Sequence, residues 1–245
     1  MIKVENIETW GFEHAIRGMR NPFNSWDRSD SYAGEPDGFE NCGNCTLGEF
    51  FVGENDLALM RKLYVAGHPH RKYLRQIFVS MDITAPLYWW SEFDTYKVGT
   101  TANSCSKMHK LLHKPFEMSD FSFDKMHGVS HTCINDIIND KYKYAEKTNI
   151  FEEIARPLID VLNELRDSYI ACENTGSKKH IWYSILQLLP ESYNQRRTVT
   201  MTYENVMNIL DYRQGHKLSE WNEYCDILMA ELPYVADLRN ATQKR

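Results

Sequence analysis

Apolar and polar positions alternate most regularly at Ile77, Val79 and Met81, set against Phe78, Ser80 and Asp82, and this period of two predicts a strand over 74–83. A period near 3.6 is clearest at Phe151, Ile154, Leu158, Leu162, Leu165 and Tyr169, which predicts a helix over about 149–173. Trp10, Phe12, Ala15, Ile16 and Met19 share one side of a helix over 10–20, behind a short strand in 1–8. Leu57, Leu59, Met60, Leu63 and Tyr64 form the apolar face of a helix that starts at the cap Asn55, runs to about Ala66 and stops at Gly67. Thr84 is read as the cap of a helix with Pro86 in its first turn and an end near Gly99. Further helices are predicted over 177–188, from about Tyr203 to Arg213, and after the cap Ser219, with an extended stretch at Thr198–Tyr203. Residues 100–128 read as irregular. The Asn-, Asp-, Gly-, Ser- and Pro-rich stretch at about 21–53 reads as a long loop of the kind that is functional or mobile. Neither a repeat nor a linker interrupts the pattern, so the expectation is one α+β domain over 1–245.

Composition narrows the function classes. The 245 residues are 42% hydrophobic, 25% charged and 13% aromatic, which suits an ordinary globular chain with a well-filled core. A net charge of −6 argues against a broad nucleic-acid surface and leaves room for a small basic pocket that holds one phosphate. No apolar run approaches the roughly 20 residues that cross a bilayer, and the first residues lack a signal pattern, so no membrane association and a cytoplasmic location are expected. Six cysteines are scattered along the chain, and Cys42 and Cys45 form a C-x-x-C with no second pair at that spacing, so no metal site is expected.

Four segments can carry chemistry. Gly67-His68-Pro69-His70-Arg71-Lys72 concentrates basic groups that suit a phosphate or pyrophosphate, and equally a solvated loop. The aromatic helix of Trp89, Trp90 and Phe93 ends in Tyr96 and Lys97, which it either delivers to a ligand or leaves in water. Thr100 to His109 offers Asn103, Ser104 and Ser106, polar groups that close around phosphate oxygens or simply decorate a loop. After Leu189-Pro190 come Arg196 and Arg197, then Asn208 and Arg213, which lie about 140° apart on a helix. Arg213 either complements a helix C-terminus or reads the imide edge of a pyrimidine with its planar fork.

Taken in order, these segments resemble the flavin-dependent thymidylate synthases. Gly67-His68 stands for that family's Gly-His element, Tyr96-Lys97 and Thr100 for its R-H-R-x-x-S, and Asn103-Ser104-Cys105-Ser106 for its N-E-x-S step. Leu189-Pro190 matches its Leu-Pro, and Thr202 to Arg213 its N-x-R-S-L-x-(H/N)-F-L-x-x-R helix, with Asn208 and Arg213 kept. The departures are specific: no arginine occupies the basic triplet, Met108 falls where a later arginine is expected, and Thr202 and Glu204 replace Asn and Arg.

The resemblance implies an α+β fold with an antiparallel sheet flanked by helices. It further implies reductive methylation of dUMP, or a related pyrimidine nucleotide, to dTMP, with methylenetetrahydrofolate as carbon donor and FAD reduced by NADPH. It implies a cytoplasmic homotetramer with sites shared between subunits. Under it, His68, His70, Arg71, Tyr96, Lys97 and Asn208 bind FAD; Asn103, Ser104, Ser106, Arg196 and Arg197 bind the nucleotide; and Arg213 binds and polarises the pyrimidine as the catalytic residue. The missing triplet keeps open a second expectation, a non-catalytic or altered-specificity nucleotide- or phosphate-binding protein of the same fold.

Overall fold

In the computed structural model, which describes residues 2–34, 50–106, 110–124 and 150–243, helices flank an antiparallel sheet. The sheet order is β1 (Lys3–Trp10), β4 (Phe78–Pro86), β6 (Asn194–Thr202), β5 (Thr100–Ser104). A two-stranded ribbon pairs β2 (Tyr32–Ala33) with β3 (Phe50–Phe51). The helices are α1 (Phe12–Arg20), α2 (Glu54–Val65), α3 (Leu87–Phe93), α4 (Ile150–Ala171), α5 (Thr175–Leu188), α6 (Tyr203–Arg213), α7 (Ser219–Glu231) and α8 (Val235–Gln243). Cys42, Cys45, Met108 and His109 lie outside the described residues, as do the side chains of Phe151 and Ile154.

The described chain gathers into two compact units, one from residues 1–3, 84–94 and 104–197, the other from 4–83, 95–103 and 198–245. In the first, Leu111, Phe116, Phe121, Ile159, Leu162 and Ile185 make the core, with Leu158 and Leu165 of α4 packed against it. These residues bear out the helical stripe on α4. Asn174 starts α5, its side chain accepting from the Ser177 N–H at 3.0 Å. In the same unit the aromatic triplet of α3 is buried as a cluster: Trp89 stacks on Phe93 at 5.1 Å and meets Trp90 edge-on at 5.0 Å. α3 ends at Phe93 rather than near Gly99, and its N-cap is Pro86 rather than Thr84, because β4 runs on through Pro86.

In the second unit the alternation in β4 is realised, with Val79, Met81 and Ile83 buried and Phe78, Ser80 and Asp82 half-exposed. The polar face is knitted across strands. Asn6 of β1 donates to Asp82 Oδ2 at 2.8 Å, and Thr198 of β6 donates to Asp82 Oδ1 at 2.5 Å. α2 buries Leu57, Met60, Leu63 and Tyr64, as its pattern predicts. A short 3-10 helix, Arg71–Arg75, occupies residues read as the start of the strand and buries Tyr73 and Leu74. The stretch read as a plain loop contains two 3-10 turns, Asn21–Phe23 and Trp26–Arg28, besides β2 and β3.

That stretch is clasped to α2 by two carboxylates, Asp30, which accepts from the Asn55 and Asp56 N–H groups, and Asp56 itself. Asp56, fully buried, accepts from Arg20 Nε at 2.5 Å, the Ser29 and Ser31 hydroxyls at 2.7 and 2.6 Å, and the backbone N–H groups of Asp30 and Ser31. Burial raises the Asp56 pKa, but the Ser31, Ser29 and Arg20 hydrogen bonds and the Arg20 charge outweigh it and hold the carboxyl below its ordinary value.

Candidate functional site

Residues 95–100 lie along α6 in the second unit, fixed at both ends of that helix. At the N-terminal end the Thr202 N–H donates to Gly99 O at 3.2 Å, and Asn205 Nδ2 donates to Val98 O at 2.7 Å and Thr100 Oγ1 at 2.8 Å. Gly99 has φ +73°, a left-handed conformation that costs glycine nothing, and a Cβ there would meet Asn205 Nδ2 at 3.2 Å. At the C-terminal end Arg213 Nε donates to the Tyr96 hydroxyl at 3.0 Å. The segment therefore brings Tyr96 to the last turn of α6 and leaves Lys97 exposed beside it.

The Arg213 guanidinium is pre-positioned by aromatic faces. Its Cζ lies 4.6 Å from the Trp221 ring centroid and 5.7 Å from that of Tyr96, with Nη1 3.3 Å from His216 Nε2. Trp221 is fully buried at the start of α7, and His216 Nδ1 accepts from the Leu218 N–H at 3.2 Å, so both supports are anchored. A planar fork held this way loses little side-chain entropy when it grips a second flat partner. Asn208, half-buried and about 140° around the helix from Arg213, is three residues from Asn205 and so neighbours it on the helix surface.

The N-terminal turn of α6 carries a feature of opposite charge. Glu204 is 6% exposed, and neither of its carboxylate oxygens has a hydrogen-bond donor among the described residues. His68 Nδ1 is 2.8 Å from Glu204 Oε1, an ion-pair contact when the imidazole carries its second proton. His70 is exposed, with its backbone N–H given to Gly67 O at 3.0 Å. The Arg71 guanidinium sits over the Tyr64 ring at 4.8 Å, and its buried Nε has no acceptor among the described residues. Asn103, on β5, is exposed.

The remaining expected residues belong to the first unit. Ser104 is exposed on β5 and Ser106 is half-buried, its carbonyl accepting from the Lys110 N–H at 2.9 Å. The exposed Arg196 accepts at its carbonyl from the Cys105 N–H at 2.9 Å. Arg197 is committed inside the unit. Its guanidinium lies 4.1 Å over the Trp90 ring, Nη1 donates to Asp94 Oδ1 at 2.7 Å, and Nε donates to Gln195 Oε1 at 3.1 Å. Trp90 Nε1 in turn donates to Gln195 O at 2.8 Å, which ties the aromatic cluster of α3 to β6.

Of the residues singled out in the sequence, the structure joins Tyr96 to Arg213 directly. Trp221, which lies against Arg213, and Asn205, which holds Val98 and Thr100, were given no part in the site from the sequence; Trp221 could have been found as an aromatic eight positions after Arg213. Tyr96 and Arg213 are 117 positions apart, too far for local spacing to link them.

No protein-family model and no curated protein matches the chain. Solved structures do. Thymidylate Synthase X from Helicobacter pylori, solved with FAD and dUMP, is similar over 99% of this chain and 100% of its own, with a TM-score of 0.61 and 15% identity. A second structure of the Helicobacter pylori flavin-dependent thymidylate synthase, also with FAD and dUMP, covers 99% of this chain and 98% of its own, with a TM-score of 0.60 and 15% identity. The chain has the flavin-dependent thymidylate synthase fold along its whole length.

Proposed function

We propose that the protein is a flavin-dependent enzyme that methylates a pyrimidine nucleotide, dUMP to dTMP, with methylenetetrahydrofolate and NADPH as co-substrates and Arg213 as the residue that binds and polarises the base. The observation that carries this reading is the Arg213 fork, held at the end of α6 by the Tyr96 hydroxyl, the Trp221 face and His216. Support comes from the fold it shares with two structures of the Helicobacter pylori enzyme solved with FAD and dUMP. On this reading the protein is a cytoplasmic homotetramer.

The residues fit one part of a flavin. On this reading Tyr96, which accepts from Arg213, faces the isoalloxazine, while Lys97 and Asn208 serve its ribityl and phosphate groups. His68 and Arg71 fit the pyrophosphate poorly, because the buried Glu204 carboxylate stands beside His68 and the Arg71 guanidinium is stacked on Tyr64. When bound, reduced flavin supplies the hydride for the new methyl group. The protein's own part is positional. Arg213 donates to the base carbonyls and stabilises negative charge as it develops on the ring. Tyr96 keeps the guanidinium in plane by accepting from Nε. Asn103, Ser104, Ser106 and Arg196 serve as phosphate-binding residues on this reading, whereas Arg197 is held by Asp94 and Trp90.

A second reading, a nucleotide-binding protein of this fold that takes no flavin, is favoured by the same Glu204. One set of measurements separates the two. The enzyme reading expects a visible flavin spectrum after FAD is added and gel-filtered, together with dUMP-dependent thermal stabilisation. It also expects Arg213→Ala to weaken dUMP by about 1.5–3 kcal/mol, roughly ten- to a hundredfold. Colourless protein that dUMP still stabilises supports the second reading. Indifference to both ligands, or unchanged dUMP affinity in Arg213→Ala, overturns the assignment of Arg213.

A further inference from the structure

We infer that Gln195 is a positioning residue for the phosphate of the bound nucleotide: its buried side-chain amide fixes the turn Ser104-Cys105-Ser106 through the Cys105 carbonyl. The inference rests on the nucleotide-binding reading, in which Ser104 and Ser106 serve that phosphate. Side chains alternate between the two faces of a strand, so Gln195 and Arg197 share one face of β6 and Arg196 takes the other. Burial follows the alternation, with Gln195 5% exposed and Arg196 open to solvent. Cys105 is gripped at both of its backbone polar groups. Its N–H donates to Arg196 O at 2.9 Å, and its carbonyl accepts from Gln195 Nε2 at 3.0 Å. The residue between the two serines is thus tied to β6 twice, once by the strand's backbone and once by a side chain.

The amide is itself oriented from behind. An arginine Nε can only donate and a carbonyl can only accept, so the group between Arg197 and Cys105 needs an acceptor on one side and a donor on the other. Gln195 supplies both, with Oε1 taking the Arg197 Nε–H at 3.1 Å, and these two neighbours admit a single orientation of the amide. Arg197 is held in turn. Its guanidinium lies 4.1 Å over the Trp90 ring, and Nη1 donates to Asp94 Oδ1 at 2.7 Å. Trp90 Nε1 closes the circuit on Gln195 O at 2.8 Å. Arg197, expected from the sequence to bind the nucleotide, therefore acts through Gln195: it aims the amide, and the amide holds the turn. A turn fixed before the ligand arrives avoids the ordering cost that a loose one incurs when it closes on phosphate oxygens. The effect belongs to the phosphate, which makes the nucleoside without it the control.

Isothermal titration of the full chain with dUMP and with 2′-deoxyuridine measures how much the phosphate adds to affinity. In Gln195→Glu a carboxylate still accepts from Arg197 Nε but no longer donates to Cys105 O. The expected result is a loss of about tenfold in the ratio of dUMP to deoxyuridine affinity, with deoxyuridine affinity and melting temperature as in the wild type. A second readout needs no nucleotide. Alkylation of the exposed Cys105 by iodoacetamide, located by peptide mass, is expected to run roughly threefold faster in Gln195→Glu because the turn opens more often. Gln195→Met, of similar volume and without the amide, takes the place of Gln195→Glu if the latter does not fold, and is expected to show both effects. An unchanged affinity ratio, a fall shared equally by dUMP and deoxyuridine, or unchanged Cys105 alkylation overturns the inference. Wild-type protein that binds neither ligand overturns the nucleotide reading and this inference with it, whereas wild-type dUMP binding whose ratio neither variant moves overturns this inference alone.

Discussion

Asp56 shows how one side chain can organise a stretch of sequence that has no pattern of its own. Its two oxygens collect Arg20, Ser29, Asp30 and Ser31, so residues between the first 3-10 turns and β2 are held by donors rather than by apolar contacts. Because its pKa is depressed in the folded state, the stabilisation is fully present above the unfolded carboxyl value, near 3.9, and is lost as pH falls through the lower folded value. Thermal melts from pH 6 down to pH 3 are expected to show a drop below about pH 4 that is shallower in Asp56→Asn. At pH 7 the same variant is expected to cost roughly 3–5 kcal/mol in urea denaturation, because it leaves Arg20 buried with no counter-charge.

At the scale of elements, the decisive part of the candidate site is the short run 95–100 laid along α6. Gly99 is the point at which it must turn. Gly99→Ala places a Cβ against Asn205 Nδ2 and forces a left-handed backbone on alanine. The expected cost is about 1–2 kcal/mol in urea denaturation, with weaker dUMP binding because Tyr96 no longer sits squarely on Arg213. An Ala variant as stable as the wild type, with equal dUMP affinity, would show that this run does not position Arg213. The sequence did not announce this element. Thr100 to Ser104, small and polar, reads as irregular because β5 is at the sheet edge and exposes Thr101, Ala102, Asn103 and Ser104, so no buried face imposes alternation. α3 reads as too long because Asp94 to Lys97 continue with residues a helix accepts, and only the packing of Trp89, Trp90 and Phe93 shows where it ends. α8 escapes the sequence pattern because only Val235 and Leu238 mark its buried side.

Across the whole molecule, β4, α2 and α4 were readable from the chain because each carries a clear buried face, whereas the antiparallel sheet was expected only through the family resemblance. The resemblance rested on motif order rather than identity, and structures only 15% identical share the fold over 99% of the chain. What no periodicity encodes is which distant polar groups meet. Tyr96 finds Arg213, Arg197 finds Asp94 and Trp90, and Arg20 finds Asp56 only through the strands and helices between them. Glu204 is the instructive case. The sequence marks it as acidic where a basic residue is expected, but only the structure shows that it is buried beside His68, 2.8 Å from its Nδ1. No helix among the described residues is long and apolar enough to cross a membrane.

The indole of Trp221 lies directly beneath the Arg213 guanidinium, at 4.6 Å. Indole emission responds to a nearby positive charge, so the molecule carries its own optical gauge of what that charge is doing. A nucleotide that draws Arg213 away is expected to change the tryptophan emission during a dUMP titration, and Trp221→Phe is expected to silence most of the change. A titration signal that persists undiminished in Trp221→Phe would locate the reporter, and with it the bound nucleotide, beside a different tryptophan.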